Sequence, residues 1–317
     1  MKIIQSFWPR DITDKEKLKY QFKFYQLSSF LLKLTFSEKY ELHLVTNDAG
    51  AEILKNINYY DKINLYFNNP IFKDIDDSLW SFHKVMSLKA YEEPTIHFDG
   101  DFFIGDKQDI RLKIDSPYQV IAQSKEFGRA FESNYENQLD IYNKIYDVYK
   151  SPVNFVYNCG VLGFRDISIR DMFINEFVYK ISNALPKLHI LKGEAFKYFK
   201  ETDINCLFEQ YTLAELAFVK NVFVRELVSP HYFYRNGMIC GHSPINNFFH
   251  ACGPSKYSQG FYNLLNNIYN KLLADPELNA CDLFRLEQES GVYNFTTQKI
   301  QNYSNFREKM KLNGISH

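Results

Sequence analysis

The chain has 317 residues, 45% of them hydrophobic and 24% charged, with a formal net charge of -1. That length supports one large domain or two modest ones, and the composition excludes wholesale disorder. Near-neutral charge excludes the broad basic footprint of a dedicated nucleic-acid binder.

The first third alternates two kinds of segment. "KIIQSFW" (2–8) is a short apolar strand bounded by Pro9. Residues 13–34 carry Leu18, Phe22, Tyr25, Phe30, Leu31 and Leu34 at helical spacing, with Thr13 or Asp14 as N-cap. "YELHLVTND" (40–48) predicts a second strand, "AGAEILKNI" (49–57) a short helix and "DKINLYF" (61–67) a third strand. Residues 76–93 predict a helix capped within Asp76–Ser78 and ended by Pro94, and "TIHFDGDFFI" (95–104) a fourth strand. Strand and helix in alternation imply a parallel sheet with crossover helices, whose ligands bind beyond the carboxyl ends of the strands. "VTND" and "FDGD" therefore share a rim.

Further on, residues 116–124 predict a strand and 137–150 a helix. "NFVYNCGVLGF" (154–164) predicts a strand interrupted at Asn158, Cys159 and Gly160, and residues 166–185 and 203–220 predict helices. "VFVREL" is strand-like, a loop-rich stretch follows, and helices return over 258–275 and 281–290. No repeat or linker divides the chain. The expected organisation is an α/β domain over 1–260 and a helical extension, 261–317, packed on it. The five cysteines, Cys159, Cys206, Cys240, Cys252 and Cys281, form no C-x-x-C pair and read as reduced, mostly buried thiols. The N-terminal residues lack a signal-peptide pattern and no run approaches eighteen apolar residues, so a cytoplasmic chain without a membrane span is expected, with peripheral membrane association left open.

Asp99 and Asp101 stand out, because apolar residues on both sides suggest burial and a buried unpaired carboxylate is costly. On an extended strand residues i and i+2 share a face, and Gly100 between them lets a ligand or another backbone approach. A divalent cation relieves the repulsion, and hard carboxylate oxygens suit Mg2+ or Mn2+.

Three later segments, "YNCGVLGF" (157–164), "FEQYTLAEL" (208–216) and "HACGPSKY" (250–257), follow that D-x-D in order. Together the four resemble the metal-dependent nucleotide-sugar glycosyltransferases of the GT-A fold, above all the glycogenin and lipopolysaccharide galactosyltransferase group, over about residues 2–260. The resemblance implies a mixed, mainly parallel central sheet flanked by helices and transfer of a sugar from a nucleoside diphosphate, UDP foremost, to a glycan or other hydroxyl acceptor. It implies Asp99, Asp101 and His250 as ligands of Mn2+ (or Mg2+), with the acids also near the donor ribose or phosphate. Gly253 and Lys256 fall on the diphosphate, Asn158, Gly160, Glu209 and Gln210 on the transferred sugar or acceptor. Ser6, in the first strand, and Thr46 and Asn47 fall near base and ribose, and Lys84 near the donor. Retention of configuration, as in the group resembled, needs no protein nucleophile; inversion would need a base, for which Glu209 is the candidate.

Two departures stand out. Glu209-Gln210 replaces the usual aspartate, and Tyr257 follows Lys256 where a Pro-Trp pair is usual. Plainer readings exist as well. His250 could be a core histidine and Lys84 a solvated helix residue; Asn158 and Gly160 could form a bulge, and Glu209 and Gln210 an exposed helix face. His97 is expected to face away from the acids, and Cys159 to be a small buried residue. Two alternatives compete with the enzyme: a catalytically silent glycosyltransferase-like protein, and a haloacid-dehalogenase-like phosphatase. The phosphatase is disfavoured because its D-x-D lies near the chain start with Thr or Val two positions on, where Phe103 stands here.

Overall fold

Successive residues of the first strand, Ile3 and Ile4, enter hydrophobic cores on opposite sides of one sheet. The computed structural model describes residues 1–9, 14–73, 75, 79–127, 153, 155–194, 205, 207–227, 233–235, 238–240, 248–251 and 254–289. Its main sheet runs in the order β3-β2-β1-β4-β7-β6-β8. These strands are β1 (Lys2–Ser6), β2 (Leu42–Val45), β3 (Lys62–Asn64), β4 (Thr95–Phe98), β6 (Val120–Phe127), β7 (Phe155–Phe164) and β8 (Val224–Glu226). Neighbours pair in parallel except at β7, which runs antiparallel to both β4 and β6. This is the mixed, mainly parallel sheet that the sequence predicts.

Helices cover both faces. One core packs Ile4, Val45, Ala122 and Leu162 against α3 (Trp80–Ser87), α5 (Ile167–Glu194) and α6 (Thr212–Val219). The other packs Ile3, Ile96, Ile121 and Val161 against α1 (Lys15–Phe36), α4 (Lys107–Asp115), α7 (Gln259–Ala274) and α8 (Ala280–Glu289). Asp14 caps α1 by accepting from the Lys17 amide at 3.0 Å, and Asn47 caps the short α2 (Asp48–Leu54) by accepting from Gly50. Helix α3 starts at Trp80, with no side-chain cap from Leu79. The expected helix at 137–150 and the cap residues Asp76–Ser78 lie outside the described residues.

One expectation is corrected. Residues 95–104 do not form a single strand: β4 stops at Phe98, and β5 (Phe102–Ile104) enters a second, antiparallel sheet of order β5-β11-β10-β9. Its other strands are β9 (Phe233–Arg235), β10 (Met238–Cys240) and β11 (Phe248–Ala251). Asp99-Gly100-Asp101 is the turn joining the two sheets, closed by the Phe102 amide donating to the Asp99 carbonyl at 3.1 Å. Both flanking strands are fully buried, so composition gives no sign of the change of sheet.

Candidate functional site

The acidic turn is fixed from every side through its backbone. Asp99 N–H donates to the Gly160 carbonyl at 2.9 Å, and Ala251 N–H donates to the Asp101 carbonyl at 3.0 Å. Beneath it, buried Gln5 donates through Nε2 to Ser28 Oγ at 2.9 Å and to the Asp99 carbonyl at 3.3 Å, while Ser28 Oγ donates to the Phe102 carbonyl at 2.6 Å. Gly100 has a packing reason: a Cβ there would lie 2.4 Å from the Tyr25 ring. The neighbour that needs the space is thus an aromatic side chain rather than a ligand or backbone.

The pairing of β5 with β11 sets Phe102 opposite His250, and this register carries the imidazole to the turn. His250 Nε2 lies 3.2 Å from Asp101 Oδ1 and 3.7 Å from Asp99 Oδ2. Ligand atoms of Asp99, Asp101 and His250 all fall within 4.8 Å of one another. Among the described residues no other three His, Cys, Asp or Glu side chains converge in this way. Two carboxylates and an imidazole, partly withdrawn from water, fit a hard or borderline divalent cation. The two acids converge because a turn folds them together, not because they alternate along a strand.

Each acid also meets a lysine. Lys84 Nζ lies 2.9 Å from Asp99 Oδ1 and 3.1 Å from Glu209 Oε1, and Lys256 Nζ lies 2.5 Å from Asp101 Oδ2. Lys84 is only 5% exposed, so it is no solvated helix residue. Burial alone would lower its pKa, but the Asp99 and Glu209 charges outweigh burial and hold the ammonium on. Glu209, 1% exposed, is pushed up to about 7 by burial, opposed by Lys84. Burial likewise raises Asp99 despite Lys84. For Asp101 the order reverses: Lys256 and His250 overcome burial and hold its carboxyl well below the usual carboxylate range.

The remaining expected residues surround this cluster. Ser6 ends β1 with Oγ 2.8 Å from His97 Nε2, and His97 Nδ1 lies 3.7 Å from Asp99 Oδ1. His97 therefore shares the side of the acids instead of facing away; burial and the Lys84 charge hold it neutral. Thr46 is fully buried and donates its hydroxyl to the Phe7 carbonyl at 2.7 Å. Gln210 is buried next to Glu209 in a π-helical turn, Leu207–Tyr211, that leads into α6. Glu209 and Gln210 are thus no exposed helix face. Gly253 lies outside the described residues.

Asn158 and Gly160 do mark a bulge. Ala122 pairs with Leu162 and Ser124 with Asn158, so the β6–β7 register shifts between them. Asn158 holds the distortion, its Oδ1 accepting from the Gly160 amide at 2.9 Å and its Nδ2 donating to Glu126 Oε1 at 2.8 Å. A Cβ on Gly160 would lie 2.6 Å from His250 Cε1, so only glycine lets the imidazole sit where it does. Cys159 is buried and in no disulfide, as expected, its thiol donating to the Tyr157 carbonyl. Sequence reasoning missed Gln5, Tyr25 and Glu126. The one signal available, for Gln5 and Glu126, was a polar side chain within a strand-like run.

Over residues 1–276 the sequence matches a model described as a family of unknown function (DUF6734). The chain belongs to that family. No curated protein matches this chain. Solved structures similar to it include the galactosyltransferase LgtC in complex with donor and acceptor sugar analogues, at 11% identity and a TM-score of 0.37, over 66% of this chain and 71% of that one. Mouse xyloside xylosyltransferase 1 is similar at 13% identity and a TM-score of 0.38, over 72% and 84%. Glycosyltransferase GlyE of Streptococcus pneumoniae TIGR4 is similar at 14% identity and a TM-score of 0.32, over 71% and 45%. These neighbours are glycosyltransferases, but overlaps this loose say nothing about what the present chain acts on.

Proposed function

We propose that this protein is a metal-dependent glycosyltransferase that uses a nucleoside diphosphate sugar, UDP-linked, and a glycan or other hydroxyl acceptor. The observation that carries the reading is the convergence of Asp99, Asp101 and His250, with Lys256 alongside, at the carboxyl end of β4. That rim is where ligands of parallel sheets bind. A bound Mn2+ or Mg2+ would polarise the diphosphate and stabilise charge growing on it as the bond to the anomeric carbon breaks. Lys256 is placed to move from Asp101 onto that leaving group, adding a point charge that counts most in the transition state. Lys84, locked between Asp99 and Glu209, opposes the effect of burial on both acids and holds Asp99 aimed at the turn. Glu209 acts through Lys84 in this arrangement, because a carboxylate so buried and paired does not face an acceptor hydroxyl. Ser6, Thr46 and Asn47 are assigned in this reading to the base and ribose end.

Charge balance shapes the binding. Asp99, Asp101 and Glu209 bring at most three negative charges against the two ammonium groups of Lys84 and Lys256. A cation alone therefore meets little excess charge and must compete with the lysines, whereas a cation and a diphosphate arriving together compensate each other. The same two ion pairs favour a second reading, a catalytically silent protein that binds nucleotide or glycan with the acids neutralised by lysine.

Titration calorimetry separates the two. UDP is expected to bind in the presence of Mn2+ and at least about tenfold more weakly with chelator, a difference of about 1.4 kcal/mol. Equal affinity with and without the metal would overturn the metal assignment and favour the second reading.

A further inference from the structure

Gln123 carries a buried side-chain amide that no part of the scheme above uses. The side chain is fully buried, and neither its Oε1 nor its Nε2 has a hydrogen-bond partner. It sits at the register shift of β6, the residue between Ala122 and Ser124, opposite the bulged segment of β7. A Cβ on Gly160 would lie 2.1 Å from Gln123 Oε1 and 2.7 Å from His250 Nδ1. The amide oxygen and one edge of the imidazole thus share the niche that the missing Cβ leaves. The opposite edge of the same ring, Nε2, faces Asp101 and Asp99.

From this juxtaposition we infer that Gln123 is a positioning residue for His250. Turned toward the ring that shares its niche, the amide would accept the Nδ1 proton through Oε1 and so fix the tautomer whose Nε2 lone pair points at the two acids. A histidine that coordinates a cation needs that arrangement, with its second nitrogen donating to a carbonyl or carboxylate. The bulge has a purpose in this account. It sets Gly160, which has no side chain, against both the Gln123 amide of β6 and the imidazole of β11, and it brings the Gly160 carbonyl to the Asp99 amide. One distortion in β7 therefore orients two of the three converging groups. A plain core amide at this position would do nothing for the histidine, and an apolar replacement would then relieve an unmet hydrogen-bonding need at no functional cost.

The inference rests on the metal reading for its purpose but not for its test. In the metal-free protein, nitrogen-15 spectra of the imidazoles, with His250 assigned through His250→Gln, should show His250 protonated at Nδ1. In Gln123→Met, which matches the length of the side chain, the signal should move toward a mixture of tautomers. Mn2+ affinity measured with UDP present should fall about 10- to 100-fold, with thermal unfolding still cooperative. Gln123→Leu serves if the first variant is poorly folded. A His250 signal identical in wild type and both variants overturns the inference, as does Mn2+ affinity unchanged by both. If the wild type binds no Mn2+ yet the tautomer shifts in the variants, the positioning contact stands and the metal reading alone falls.

Discussion

Glu209 shows how one side chain makes the cluster sensitive to pH. Its carboxyl, pushed to about 7 by burial, stands above the ordinary value of 4.5, with Lys84, Asp99 and His250 as the charged groups acting on it. The folded state thus holds a proton that the unfolded chain has released over that interval. Stability against unfolding falls as pH rises from about 4.5 to about 7 and levels off above, by an amount on the order of 3 kcal/mol. Asp101 has the opposite sign: its depressed pKa stabilises above the ordinary aspartate range, and that contribution is lost only in strong acid. In urea melts run with chelator at pH 5 and pH 7.5, wild type should lose stability relative to Glu209→Gln. Equal losses in the two proteins would show that Glu209 does not titrate in that window.

The acidic turn, as an element, marks where the sequence was readable and where it was not. Asp99, Asp101, His250 and Lys256 could be picked out because carboxylates, an imidazole and an ammonium have distinctive chemistry and recurrent spacing. The change of sheet between them could not, because a strand buried on both faces looks the same whichever sheet it joins. Lys84 and Glu209 reach the site through the resemblance, while their residues alone read as well as solvated helix positions, because each is made tolerable in the core by a partner far along the chain. Gln123 drew no notice within the strand expected over 116–124, since a bulge alters pairing without altering composition. The turn itself yields a prediction. Gly100→Ala would drive a Cβ into the Tyr25 ring, whose hydroxyl is tied to the Ser6 carbonyl and cannot easily retreat. The expected cost is about 1–3 kcal/mol in denaturant melts. It should shrink when Tyr25→Leu is combined with it, since the two positions are in contact. Additive effects would place the penalty in the backbone of the turn instead.

The whole molecule bears on where the chain can be cut. Sequence patterning sets an expected boundary near residue 260, with the remainder as an extension packed on the α/β part. Helix α7 nonetheless buries Phe261, Leu264, Leu265, Ile268 and Leu272 in the same core as Phe24, Leu27, Phe30 and Leu31 of α1. Tyr59 and Tyr269 meet through their hydroxyls, and Phe249 of β11 stacks on Phe284 of α8 at 4.5 Å between centroids. This contact backs the strand that carries His250. Burying a large apolar side chain contributes about 1.5–3 kcal/mol, so five of them in α7 rival the whole stability of an average domain. A chain ending at residue 260 should therefore lose cooperative thermal unfolding and expose apolar surface to a dye such as ANS. Ending it instead at residue 276 keeps α7 but removes α8, leaving Phe249 uncovered on one side. That version should fold with a lowered melting temperature and, because His250 neighbours Phe249 on β11, weaker Mn2+ binding in the presence of UDP. A chain ending at 260 that melts cooperatively within a few degrees of the full protein would make residues 1–260 a self-sufficient unit and reduce α7 to a covering.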